Sequence, residues 1–156
     1  MKWVLFDFKS ANEAWSEQAE VVYLKKINHF VKFEILHLKS NKMDREQAEQ
    51  KIKFEEAKLL EKLTSDDYVV LFDEKGKKLD SLEFAKMVEL ASQSGKKRGV
   101  LIIGGAYGIS ETIKKRASIT VSLASFTMNH LVAEAVVLEQ FYRAHTILNR
   151  IPYHNI

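Results

Sequence analysis

The chain has 156 residues, 46% of them hydrophobic, and 24 Lys and Arg against 21 Asp and Glu give it a net charge of +3 and a pI near 9.0. This length fits one domain, residues 1–156, that can bury a core without covalent staples. Cysteine is absent, which excludes disulfides, thiolate metal sites and cysteine nucleophiles and makes the cytoplasm the expected compartment.

Residues 3–8 are predicted to form a strand, and Asp7 and Lys9 end this apolar run too early for a secretory core. Ala11, Trp15, Ala19 and Val22 then share one helical stripe. Val31, Phe33 and Ile35 alternate as a second strand does. Asp44 with Gln47 reads as a capping box for a charged, exposed helix running to about Leu63. Tyr68 to Phe72 is an apolar run of the kind buried in parallel sheets, and Asp73-Glu74-Lys75-Gly76 is predicted to turn away from it. Asp80 with Glu83 caps the next helix, which carries Phe84, Met87, Val88 and Ala91 and ends at Gly95. Val100 to Ile103 is a strand, Ser110 caps a short helix through Arg116, and residues 119–123 form the last strand. A final helix spans about residues 130–148. The alternation implies an α/β fold, a mostly parallel sheet with helices on both faces. The longest later apolar run, Val100 to Ile109, is broken by three glycines and is too short to cross a bilayer, so no membrane segment is expected.

Gly104-Gly105-Ala106-Tyr107-Gly108 lies between a strand and a helix, at the carboxyl end of the sheet where open α/β folds bind ligands. Counting from Gly104, a dinucleotide fingerprint would need glycine where Ala106 and Ile109 stand, and a P-loop would need Gly-Lys-Ser/Thr where Gly108-Ile109-Ser110 stands. Nicotinamide and nucleoside triphosphate chemistry are therefore not expected. A ligand loop and a simple close-packing turn both fit the glycines. Cationic residues cluster at Lys75 to Lys78, Lys96 to Arg98 and Lys114 to Arg116; composition reads them first as a solvated surface beside helix ends, and they also suit a polyanionic partner. The final helix is apolar nearly all round, as either a central core helix or one shared with a second subunit would be. Pro152-Tyr153-His154, two residues short of the end, is an aromatic and ionisable cluster where fraying is the ordinary expectation.

Four segments in combination are distinctive: Ile103-Gly104-Gly105 with Gly108; Ser122-Leu123 leading to Thr127-Met128 and His130; Glu139-Gln140 with Tyr142-Arg143-Ala144; and Pro152-Tyr153-His154. Through them the whole chain resembles the SPOUT-class methyltransferases that methylate a pseudouridine of large-subunit (23S) ribosomal RNA. The resemblance implies a C-terminal trefoil knot, a homodimer and S-adenosylmethionine as cofactor. It maps cofactor contacts onto Phe72, Gly104, Leu123, Ala124, Ser125, Phe126, Thr127 and Met128. It makes His154 the candidate base for the ring nitrogen N3 and Arg143 the group that stabilises charge on the flanking carbonyl oxygens; Tyr142 and Tyr153 would stack on or orient the base. The plain alternatives are that Arg143 pairs with Glu139 one turn earlier, that Tyr142 is core and that His154 belongs to a frayed tail. His130 reads as a helix cap or a dimer-seam residue. No metal is expected, and assembled ribosomes are the expected substrate. The rival reading is an RNA-binding module of the same fold without transfer activity. Two positions depart from the family pattern: Asn129 replaces a usual proline, and Glu134 replaces a usual arginine, which reverses a charge.

Overall fold

Strands buried on both faces dictate the architecture. In the computed structural model, which describes residues 1–8, 12–40 and 45–155, the elements run β1 (Lys2–Asp7), α1 (Ala14–Ile27), β2 (Phe33–His37), α2 (Ala48–Lys62), β3 (Asp67–Lys78), α3 (Ser81–Ser92), β4 (Arg98–Ile103), α4 (Glu111–Arg116), β5 (Ile119–Ser122) and α5 (His130–Leu148). The five strands form one parallel sheet in the order β2-β1-β4-β3-β5. Trp3, Leu5, Val70, Phe72, Leu101 and Ile103 point to one side, under α1, α3 and α5. Val4, Phe6, Val69, Leu71, Val100 and Ile102 point to the other, where Leu59 of α2 and Ile113 of α4 cover them. Because both faces are covered, these strands read as unbroken apolar runs rather than as alternation. The expected parallel α/β sheet with helices on both faces is what the chain adopts.

Local capping follows the sequence at two helices, and a third carries an unexpected cap. Asp80 and Glu83 form a reciprocal capping box, with bonds of 2.8 and 2.7 Å. The Ser110 hydroxyl accepts from the Ile113 amide at 3.3 Å. Asn129 caps α5 by accepting from the Leu131 amide at 2.9 Å, a local use for a side chain that proline lacks. The Asp44 cap and Ala11 lie outside the described residues.

Three expectations are corrected. The stripe on α1 does not face the core: Trp15 and Val22 are exposed, while Ser16, Tyr23, Leu24 and Ile27 turn inward, because α1 docks against α5 with that other face. α2 is not merely exposed, since Lys51, Glu55 and Leu59 are buried on the face that meets the sheet and the glycine loop. β3 does not end at Phe72. Both Phe72 and Lys77 stand opposite Val121 of β5, so residues 73–76 leave the ladder and return to it.

α5 is the central helix of its layer. Phe141 is fully buried, with its ring 5.0 Å from Trp3 and 5.2 Å from Phe33. One turn on, buried His145 donates from Nδ1 to the Phe141 carbonyl at 2.9 Å and meets the Phe141 ring edge-on. Burial lowers the His145 pKa, and the carbonyl bond opposes this only in part. A histidine with a lowered folded value adds stability that is complete above its unfolded value of about 6.5 and is lost as pH falls through the folded value. The melting temperature is therefore expected to drop between pH 7.5 and 5.5 more steeply in the native protein than in His145→Asn, whose amide nitrogen can take the place of Nδ1. Equal slopes by calorimetry would contradict the assignment.

Candidate active site

The carboxyl ends of β3, β4 and β5 enclose a cavity of about 490 Å³, within the range of small-molecule sites. Phe72 and Ile103 form an apolar floor. The glycine loop 104–108 forms one wall and the segment after β5 the other, while Asp73, Glu74, Lys75 and Lys114 bring both charges to the rim. Gly108 has φ of +94°, a left-handed conformation that glycine adopts without strain, and its amide donates to the Gly105 carbonyl at 3.1 Å to close the loop. A Cβ on Gly104 would run into Ile109, and one on Gly105 into the Glu55 carboxylate. Glu55 thus packs directly beneath the loop, held by the Ser40 hydroxyl at 3.0 Å, and burial raises its pKa.

Of the residues mapped by resemblance, Phe72, Gly104, Leu123, Ala124, Phe126, Thr127 and Met128 all line this one cavity. Ser125 is placed differently: it is exposed, and its hydroxyl accepts from Lys78 Nζ at 3.0 Å. Phe126 is 85% exposed even though it borders the cavity, an unusual position for a phenyl ring.

The tail is not frayed. Arg150, at φ of +58°, reverses the chain after α5, and the Ile151 amide donates back to the Thr146 carbonyl at 2.9 Å. Arg143 donates from Nε and Nη2 to Glu139 Oε1 at 2.9 and 2.6 Å, and from Nη1 to His154 Nδ1 at 3.1 Å. The Tyr153 ring lies 4.6 Å from the same guanidinium, and its hydroxyl donates to Glu139 Oε1 at 3.1 Å. Burial and the Glu139 carboxylate raise the Tyr153 pKa, keeping the phenol a donor. Arginine only donates, so His154 Nδ1 is the accepting nitrogen in this arrangement. Arg143 therefore makes the expected pair with Glu139 one turn earlier and also meets His154. Tyr142 is a packing ring among Tyr23, Phe30 and Tyr153.

The cavity and the tail cluster are separate within one chain. Ala133 lines the cavity, and Arg143 lies ten residues further along α5, about 15 Å at roughly 1.5 Å per residue. Two of the cationic clusters also differ from expectation. Arg98 forks onto Asp67 at 2.8 and 2.7 Å and Arg116 donates to the Thr64 and Asp67 carbonyls, so both arginines brace the start of β3. Lys75 and Lys114 remain at the cavity.

A second polar group lies one strand away from the glycine loop. Asp7 and His37 end β1 and β2 in register, and His130 and Glu134 come from the first turns of α5. His130 does not cap α5, which Asn129 does; its Nε2 bonds Asp7 Oδ1. Burial and the nearby Asp7 and Glu20 carboxylates push Glu134 up to about 10. Burial opposes ionisation of Asp7 too, but His130 and His37 outweigh it and hold that carboxyl below the usual range. Sequence reasoning missed this group together with Lys51 and Glu55. Only the i, i+4 spacing of His130 and Glu134 hinted at it.

Comparison with known proteins places the chain. The model described as predicted SPOUT methyltransferase matches residues 1–154, and the chain belongs to that family. The ribosomal RNA large subunit methyltransferase H of Bdellovibrio bacteriovorus is 49% identical over 156 residues, covering all of both chains. The protein of the same name from Parabacteroides distasonis is 38% identical over 134 residues, 85% of each. A crystal structure of the SpoU methyltransferase AviRb from Streptomyces viridochromogenes, in complex with the cofactor AdoMet, overlays with a TM-score of 0.47 at 16% identity, covering 95% of this chain and 60% of that one.

Gly76, next to the rim residue Lys75, packs directly against main chain. A Cβ there would collide with the β5 backbone at Thr120 and Val121, which cannot give way as a flexible side chain can. Gly76→Ala is expected to lower stability by about 1–3 kcal/mol, read as a fall in the urea midpoint. An unchanged midpoint would show that the two segments do not cross so closely.

Proposed function

We propose that this protein transfers the methyl group of S-adenosylmethionine to N3 of a pseudouridine in large-subunit (23S) ribosomal RNA, acting in the cytoplasm as a homodimer on the assembled ribosome. The observation that carries the reading is the cavity formed where Phe72, the glycine loop and residues 123–128 converge. Its apolar floor suits adenine, its loop backbone suits a ribose, and its two-signed rim suits an amino acid end. No lysine stands in the loop in the P-loop position, which matches a cofactor without phosphate. The excursion of residues 73–76 across β5 supports reading this region as the trefoil knot of the family.

When bound, the cofactor supplies an electrophilic methyl group. The protein's own task is to place the nucleophile in line with it and to take the N3 proton. His154 is the base and Arg143 the electrostatic partner. In the free arrangement Arg143 occupies the His154 Nδ1 lone pair. Arrival of the uracil ring gives that N–H a new acceptor in the carbonyl beside N3, which frees Nδ1 to accept the proton at the moment negative charge spreads onto the carbonyl. Glu139 holds the guanidinium in place meanwhile.

The distance between cavity and tail within one chain supports a composite site, in which the tail of one subunit faces the cavity of the other. Lys75 and Lys114 at the cavity mouth then meet the RNA backbone.

His154→Ala is expected to reduce methyl transfer to ribosomes lacking the modification by about 10²- to 10⁴-fold while leaving calorimetric binding of S-adenosylmethionine intact. Gly104→Val should abolish that binding. Mixing the two inactive variants should restore turnover through heterodimers that carry one intact site; no restoration would exclude a shared site. Absence of cofactor binding by the native protein would favour the RNA-binding module instead.

A further inference from the structure

Asp7, His37 and Glu134 each direct a ligand-type atom into one space, with these atoms within 4.8 Å of one another. Asp7 is completely buried and Glu134 is 2% exposed. Asp7 Oδ2 and both Glu134 carboxylate oxygens lack any hydrogen-bond partner. Buried carboxylate oxygens without partners are expensive, and either a retained proton on Glu134 or a bound cation relieves them.

The surrounding groups are oriented as the outer shell of a metal site is. His37 Nε2 contacts Glu20 at 3.0 Å and Nδ1 faces Asp7 Oδ2, so both ring nitrogens point at carboxylates, and Nδ1 becomes a ligand when a cation displaces its proton. The Nδ1 to Oδ2 distance is 3.6 Å, too long for a hydrogen bond. It is close to the roughly 3.4 Å that separates two ligand atoms each about 2.1 Å from a tetrahedral ion. His130 occupies the other oxygen of Asp7, so that Oδ2 is the one left for a cation. His37 is partly exposed, which provides an access route.

We propose that Asp7, His37 and Glu134 bind one divalent first-row transition ion of the zinc type, which clasps β1 and β2 to the start of α5. One imidazole with two carboxylates is a borderline donor set that favours such an ion over magnesium or calcium, which prefer oxygen alone. The clasp is structural. α5 begins directly after the 123–128 wall of the cavity, and Asp7 pairs with Ile103 of the cavity floor, so the ion fixes both to one point. Its presence does not depend on the proposed methyl transfer.

The test is zinc binding by the purified apo-protein, followed by calorimetric titration and by thermal melting with zinc chloride. One ion per chain is expected, with a rise in Tm of about 5–10 °C when free zinc is 100 times its dissociation constant. Glu134→Gln keeps the shape and a neutral head group but removes a ligand, and should weaken binding at least about 10-fold. His37→Asn, at a half-exposed position that tolerates change, should do the same. No zinc-dependent shift in the native protein, or equal binding by both variants, would overturn the proposal. The second result would mean that the ion sits on other histidines, and that Glu134 is simply a buried acid holding its proton.

Discussion

The structure depends on one close contact between two stretches of main chain. Val121 is faced by Phe72 and again by Lys77, and Gly76 lies against the Thr120–Val121 backbone where no side chain would fit. That contact joins the excursion after β3 to the last strand, and both then border the cavity. Remove it and the floor at Phe72, the rim at Asp73 to Lys75 and the wall at Leu123 to Met128 lose their common reference. Van der Waals contact between two backbones is hard and short-ranged, so it places these segments more sharply than flexible side chains could.

α5 carries that order outward to chemistry. Its first turn touches the cavity through Ala133 and the polar group at Asp7 through His130 and Glu134. Its middle is anchored by Phe141 between Trp3 and Phe33. Its second half holds Glu139 and Arg143, onto which Tyr153 and His154 fold back. One rigid helix thus sets the distance between a ligand cavity and an ionisable cluster.

The charged groups divide by burial rather than by sequence neighbourhood. Arg98 and Arg116 belong to cationic runs, yet both turn inward to satisfy Asp67 and the carbonyls that begin β3. Burial opposes ionisation of Asp67, but the fork from Arg98 outweighs it and holds that carboxyl below the usual range. Lys75 and Lys114, in equally basic runs, stay at the cavity mouth. Formal charge counts could not distinguish a brace from a binding surface, because the difference is which carbonyls lie within reach once the strands are paired.

Much of this was written locally. The apolar runs at Tyr68 to Phe72 and Val100 to Ile103, the capping box at Asp80 and Glu83, the Ser110 cap and the glycine loop each rest on contacts within a few residues, and the motif combination from Ile103 to His154 carried the family. What tertiary structure alone decided involves partners far apart in the chain. Val121 with Lys77, Glu55 under Gly105, and Asp7 with His37, His130 and Glu134 are such cases. β3 read as ending at Phe72 because Asp73 to Gly76 has the composition of a turn, and only the presence of β5 brings the chain back into a ladder. α1 read as amphipathic on the face of Trp15 and Val22, but docking against α5 selected a different face. Local preferences act through hydrogen bonds and side-chain entropy within a turn or two of chain, whereas a crossing, a cavity or a buried cluster exists only after distant segments have been brought together and desolvated.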